Sequence, residues 1–421
     1  MSTDARRIVP FEDEAVQALG PIVALRPAFE IRVGALNLRE RLELAAPGAQ
    51  FSSLTRSSVR AGGLLPADDD CAGYRVNARL VAAVEDIASA IDRLDAGQAL
   101  VRDDAVILSR GPVTQRLAAP NGLRLVERHW ELPALNSTML PIDAATLGRV
   151  GGVPRRIHGV GFAAGSPRES LLEQTSFASG RPEASEAIWI GPGPFLRGPR
   201  VDVRPGAVID ASTGPVILAA GVVVHPLSVV TGPAYLGPGT VVNPGAKLRQ
   251  ATSCGAFCKL GGEIEDSLIL DLSNKQHDGF LGHAVVGSWV NLGADTNASD
   301  LKNNYSAVRV DLGDGPIDTG LTFVGPLLAD HAKTGIDTML GTGAVVGVAA
   351  NVFGGGFVPR LVPAFSWGGS AGLSEYRLVE ALATAQAVLA RRDVSWTDEA
   401  ADALRAEFEA SAELRLRYGV K

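Results

Sequence analysis

His277 sits in the polar run Ser273-Asn274-Lys275-Gln276-His277-Asp278-Gly279, and imidazole is the side chain whose ordinary pKa lets it accept a proton near neutrality and pass it on. A lone histidine is more often a surface or hydrogen-bonded core residue, so its neighbours must decide. Cys254 and Cys258 have no His or Cys cluster nearby to complete a tetrahedral site, which predicts buried thiols rather than zinc. The Asp68-Asp69-Asp70 run has the chemistry to bind a metal, but a solvated turn is the better reading, since acidic residues favour turns. Arg26, Arg32 and Arg39 are candidate phosphate contacts. Arg32 and Arg39 would share a helical face only in continuous helix, which Pro27 and Gly34 oppose. Residues 1–60 hold no glycine-rich loop that would cradle phosphates, and Gly62-Gly63 is too short to be one.

These residues must be positioned by a chain of 421 residues, which at about 150 residues per domain predicts two or three domains. Hydrophobic residues make up 46% and charged residues 20%, and no window of 18 apolar residues is free of Gly, Pro, His or charge, so no membrane span is expected. Residues 1–11 lack the apolar core of a secretory signal, and three cysteines make no disulfide framework. Both point to the cytoplasm. A net charge of −7 without any run of five basic residues argues against nucleic acid or an anionic membrane as partner.

Residues 1–185 alternate short apolar runs with helical patterns. Gly34–Leu44 and Val81–Leu94 read as helices, and Tyr74–Ala78 and Ala105–Leu108 as strands, which predicts an α/β layer. Residues 161–186 read as a linker with a helical piece at Leu171-Leu172. Thirty of the 48 glycines then fall between Gly191 and Ser370, a concentration that marks something repetitive. Ile217, Val223, Val229, Tyr235 and Val241 keep a six-residue beat, the hexapeptide repeat of a parallel β-helix, and the beat returns at Val286, Leu292, Val324, Ile336 and Val348. The polar segment Thr296–Phe323 breaks it and reads as a loop thrown out of the coil. After Pro363 the pattern turns helical. Ser374 is expected to cap one helix carrying Leu378, Leu382, Ala385 and Leu389, and Thr397 a second carrying Leu404 and Phe408, the pair covering the open coil end.

The order His277, Phe280, Leu281-Gly282, then Asn291-Leu292-Gly293-Ala294 resembles the acetyltransferase half of the bifunctional N-acetylglucosamine-1-phosphate uridyltransferase/glucosamine-1-phosphate acetyltransferase family. The match includes the five-then-six spacing of Leu281, Val286 and Leu292. The runs Ser273–Gly279, Asp330-His331-Ala332-Lys333-Thr334 and Asn351–Gly356 look like a bacterial branch that carries the name sugar nucleotidyltransferase, as does Leu25–Gly34 near the N-terminus. The resemblance implies a Rossmann-like α/β domain over residues 1–185, a degenerate nucleotidyltransferase. It implies a left-handed parallel β-helix acyltransferase domain over 186–368 and C-terminal helices over 369–421. It also implies a homotrimer with acetyl-CoA in a cleft between neighbouring β-helices.

Carried over residue by residue, the resemblance makes His277 the general base and Asn291 an acceptor-sugar contact. It puts Ala294 beside the acetyl-CoA thioester and Asn304-Tyr305 at the family's Asn-Tyr pair, although four extra residues precede that pair here. With the flanking spacing in place, His277 reads as catalytic. The departures concern charge. The family's hydroxyl-bearing aromatic is Phe280, which has no hydroxyl to donate, and its phosphate-binding basic residues align with Asn243 and with Gly262-Glu263. Lys275, Lys302, Arg309, His331 and Lys333 are the replacement anion contacts, Lys275 and Arg309 toward the acceptor and His331 and Lys333 toward the acyl donor, a solvated role staying open for each. In the N-terminal half, Asn77-Ala78-Arg79 stands where the branch has a metal-binding Gly-Asp, so Mg²⁺ is expected only if this domain is active. Arg26, Arg32, Arg39 and Asn77 remain as nucleotide contacts. The leading expectation is acetyl transfer to an amino-sugar phosphate or nucleotide amino sugar. The alternatives are sugar-1-phosphate nucleotidyl transfer and a non-catalytic scaffold that binds a nucleotide sugar.

Overall fold

The computed structural model describes residues 6–60, 65–66, 73–182 and 186–421. Cys71, the Asp68–Asp70 run and Gly62-Gly63 fall outside them. The N-terminal α/β layer is a six-stranded sheet in the order Gln50–Phe51, Arg7–Phe11, Tyr74–Asn77, Ala105–Arg110, Gln98–Arg102, Gln115–Ala118. Arg7–Phe11 runs parallel to both its neighbours, whereas the hairpin Gln98–Arg110 makes the sheet mixed. The Val84–Arg93 helix lies where the apolar spacing puts it. The first helix, by contrast, begins only at Leu38, because Arg32-Val33 and Leu36-Asn37 pair as a short hairpin around Gly34. Asn37 then caps the helix through a reciprocal bond with Glu40, satisfying donors that the first turn leaves open. The linker's helical piece is Pro167–Leu172.

From Ile188 the chain winds into stacked coils whose strands form three parallel ladders, one of nine strands with Ala178–Ser179 added antiparallel at its edge, one of six and one of five. Val216 pairs with Ala234 and Ala234 with Thr252, so these coils take eighteen residues, three hexads, while the next is shorter, Ser253 pairing with Leu268. The interior, however, is lined by Leu218, Val224, Val230, Leu236, Val242, Leu248, Cys254 and Leu260, all at most 1% exposed, one position on from the expected beat. Ile217, Val223, Val229, Tyr235 and Val241 point outward, whereas Val286 and Leu292 of the resumed beat do line the interior. Since strand side chains alternate, a shift of one residue exchanges the two faces. Ile217 and Tyr235 are buried all the same, because the N-terminal domain covers that outer face. Asn136 of the Leu132–Val150 helix donates to the Ala251 carbonyl at 2.7 Å, and the Ser253 hydroxyl donates to the Gly34 carbonyl at 2.7 Å. Cys254 and Cys258 are buried free thiols, as expected.

Val285 pairs with Leu327, 42 positions on, so that coil carries a 24-residue excursion. It does not fold over the His277 corner. Its hairpin, Arg309–Asp311 with Pro316–Asp318, sends Val308 and Val310 into the core shared with the N-terminal domain, and Asp311 accepts a 2.7 Å bond from the Tyr418 hydroxyl. At its base His283 Nδ1 lies 2.8 Å from Asp300, and its ring stacks on Phe323. Burial pulls the His283 pKa down, but Asp300 and the nearby Asp266 and Glu265 outweigh it and raise the pKa above 6.5. A raised folded pKa means stability that is present below the unfolded value and is lost as pH rises through the folded one. The stability difference between wild type and His283→Gln is therefore expected to be larger at about pH 5 than at about pH 9 in urea unfolding. An equal or growing difference would contradict this role for the pair.

At the other end Ser374 caps no helix. It lies in the strand Gly372–Glu375, paired antiparallel with Ser366–Gly369, and donates to the Trp367 carbonyl. This hairpin closes the ladder edge that the helices were expected to cover. The helix itself runs Leu378–Ala390, and Thr397 caps Asp398–Ala410 as expected. No helix among the described residues is long and apolar enough to cross a membrane.

Candidate active site

His277 occupies an exposed corner between the strands Asn274–Lys275 and Phe280–Gly282. Its backbone is held from below. Lys275 points into the coil, where Leu260 precedes it in the ladder, and its ammonium donates to the carbonyls of His277 at 2.5 Å, Asp278 at 3.0 Å and Gly261 at 3.4 Å. Burial lowers the Lys275 pKa to about 8, with Asp278 and Asp295 opposing. Asn243 donates to the Gln276 carbonyl at 2.9 Å, so the residue aligned with a family phosphate contact serves the corner instead. Gly262 is required beneath it. Its φ is +69°, and a Cβ there would lie 2.6 Å from the Gly279 carbonyl oxygen and 2.7 Å from that of His277.

Beside the corner, Lys259, Asn274, Asn291, Lys333 and Asn351 pair in succession and form one outward polar rung. Asn274 donates to the Asn291 side chain at 3.2 Å, and Arg392 donates to Asn274 at 2.7 Å. Asn291 and Lys333 are thus brought together across one ladder. Burial lowers the Lys333 pKa to about 8, and its ammonium donates to the His331 carbonyl. His331 itself is a buried ring stacked on Trp289. Its pKa is pulled to about 3 by burial, then by Lys333 and Arg26, so at neutral pH it carries no charge to offer an anion. Ala294 is half-buried at the next corner, its carbonyl accepting from the Asp337 amide. Asn304, Tyr305 and Arg309 are exposed on the excursion, Asn304 over a shallow cleft walled by Lys302, Thr342 and Phe357 that His277 does not line.

Two basic residues outside the sequence expectations stand near this corner. Arg249 lies 3.1 Å from Glu263 and 2.6 Å from Glu265, and Glu263 is the ladder neighbour of Phe280. Arg249 thus divides one positive charge between two carboxylates, and the Glu263/Glu265 edge keeps a net negative charge. Arg392 is the other. Its link to Asn274 spans 118 positions, and only the Arg391-Arg392 doublet hinted at it.

In the N-terminal domain the expected nucleotide contacts are turned inward. Arg26 places one nitrogen 2.6 Å from both oxygens of Asp330; Arg32 bonds Glu40 and Arg39 bonds Glu30. All three are buried. Burial alone would raise the Glu40 pKa, but Arg155, Arg32 and Arg39 hold it down to about 2. Asn77, fully buried, donates to Asp13 and to the Val106 carbonyl. Arg79 grips both oxygens of Asp13, at 2.8 and 2.6 Å. A guanidinium thus occupies the carboxylate next to Asn77, and no group of three His, Cys, Asp or Glu able to hold a metal occurs among the described residues. These residues do not fit Mg²⁺.

An α/β layer joined to a hexapeptide β-helix, with a histidine at a coil corner, is the architecture the resemblance implied. Residues 8–149 match the family of sugar nucleotidyl transferases. The chain is 29% identical over 119 residues to a bifunctional sugar-1-phosphate nucleotidylyltransferase/acetyltransferase of Sulfurisphaera tokodaii, covering 28% of this chain and 30% of that protein. It is 30% identical over 188 residues to the bifunctional protein GlmU of a Nostoc species, covering 43% and 37%. The chain spans about a third of the length of these curated relatives. The resemblance to the bifunctional family is borne out. A solved Arabidopsis UDP-N-acetylglucosamine acyltransferase aligns at 17% identity and a TM-score of 0.21, covering 55% of this chain and 90% of that one.

Proposed function

We propose that this protein transfers the acetyl group of acetyl-CoA to the amine of an amino-sugar phosphate or nucleotide amino sugar, with His277 as general base. The reading is carried by one observation: an exposed histidine whose backbone is clamped by a buried lysine and an asparagine, next to an outward Asn291. As the amine nitrogen attacks the thioester carbonyl, its proton passes to the His277 imidazole. The C–S bond then breaks, and the imidazolium returns the proton to the departing thiolate, so amide and free thiol form in equal amounts. Lys333 supplies positive charge beside Asn291 for the donor, while Arg249 is held by Glu263 and Glu265 and has no charge to spare for the acceptor.

The functional units follow residues 1–185, 186–368 and 369–421, and the protein works as a cytoplasmic homotrimer, the exposed Leu227, Ile336, Met339 and Phe357 being covered by neighbouring copies. The match over residues 8–149 favours a sugar-nucleotide role for the N-terminal domain; with Asp13 locked by Arg79, that role is binding without nucleotidyl transfer. The test is thiol release from acetyl-CoA against a panel of amino-sugar phosphates and nucleotide amino sugars, which should single out one acceptor class. Pyrophosphate release from UTP and a hexosamine 1-phosphate should be absent.

Lys275→Met keeps the apolar stem and removes the donors under His277. Turnover should fall about 10- to 100-fold, since a misplacement near 1 Å costs that order, with the KM for acetyl-CoA unchanged. A variant with normal turnover would show that the clamp does not position the base.

A further inference from the structure

Where the N-terminal domain, the β-helix and the C-terminal helices meet, a cavity of about 290 Å³ is lined by Arg26, His158, Ser288, Trp289, His331 and Trp396, among others. It is distinct from the His277 corner. Four of these side chains carry a buried polar atom with no protein partner: Arg26 Nε, His158 Nδ1, Ser288 Oγ and His331 Nδ1. Buried polar groups are nearly always satisfied, so four such atoms around one cavity indicate something that bonds to them. The second ring nitrogen of His158 donates to the Leu25 carbonyl, which leaves Nδ1 an acceptor. Arg26 Nε is a donor, and the Ser288 hydroxyl can do either.

The charges exclude an anion. Asp330 takes up the Arg26 charge, both imidazoles stay neutral at pH 7 because burial pulls each pKa to about 3, and the exposed Glu399 in the lining adds negative charge. The volume lies at the lower edge of ligand pockets, about 300–1,000 Å³, too small for a dinucleotide. Two indole walls suit a flat ring. We propose that this junction cavity binds an uncharged aminopurine nucleoside, whose amino donor meets His158 and whose ring nitrogens accept from Arg26 and Ser288.

Titration of the full-length protein with adenosine by calorimetry should give one site per chain with an affinity of tens of micromolar, the order for an uncharged ligand of this size. His158→Phe keeps the ring volume and removes the acceptor, and should weaken binding about 5- to 15-fold. Ala403→Trp fills the space and should abolish it. Thiol release should be unchanged in both. Absence of adenosine binding, leaving water as the occupant, would overturn the proposal. So would binding that survives both substitutions, or coenzyme A competing as well as adenosine.

Discussion

Replacing His277 by alanine is expected to lower turnover about 10²- to 10⁴-fold, the usual contribution of a general base, with little change in acetyl-CoA affinity. The imidazole sits at the protein surface and its corner is held through backbone carbonyls by Lys275, so removal of the ring leaves the fold and the donor site in place. The loss should therefore fall on kcat and on kcat/KM for the acceptor together, the pattern of a group that acts in the transition state. Stopped or coupled assays at saturating acetyl-CoA would read it. Unaltered turnover would remove His277 from the mechanism.

The second large effect concerns stability. Arg26 and Asp330 are each about 5% exposed at the side chain and join the N-terminal domain to the β-helix. Asp330 also accepts from the Ser288 amide at 2.6 Å. Arg26→Met leaves a buried carboxylate without its cation, and breaking such a pair costs about 3–5 kcal/mol. The urea midpoint should drop accordingly, and the double variant Arg26→Met/Asp330→Leu should recover most of the loss, because an apolar pair of similar volume avoids the desolvation of two charges. A single variant as stable as wild type would mean that the carboxylate is solvated or protonated in the folded protein.

This ion pair also shows where a sequence stops being informative. Its members are 304 positions apart, and Arg26, Arg32 and Arg39 look alike in the sequence whether they face a phosphate or a buried glutamate. The β-helix was legible because six-residue spacing is written into the chain. Over residues 217–241 its inner face was not, because doublets such as Val223-Val224, Val229-Val230 and Val241-Val242 put a β-branched residue on both faces, and because Ile217 and Tyr235 are buried by the other domain. The excursion was visible as an interruption, but the destination of Val308 and Val310 depends on an apolar surface far away in the chain. At the candidate site, His277 and Asn291 were proposed from the resemblance that their local spacing carries. Arg249 and Arg392 emerged only with the fold, since ladder stacking and a returning helix bring them there.

The central claim, nitrogen acetylation by a β-helix corner histidine, is met most directly by following acceptor and thiol together. The protein is incubated with acetyl-CoA and the acceptor found in the panel, and the acetylated sugar is quantified by mass spectrometry alongside free thiol, for wild type and His277→Ala. The account predicts equal amounts of N-acetylated acceptor and thiol from wild type, and about 10²-fold or more less of both from the variant. Thiol released without acetylated acceptor, or equal acetylation by the two proteins, would contradict it.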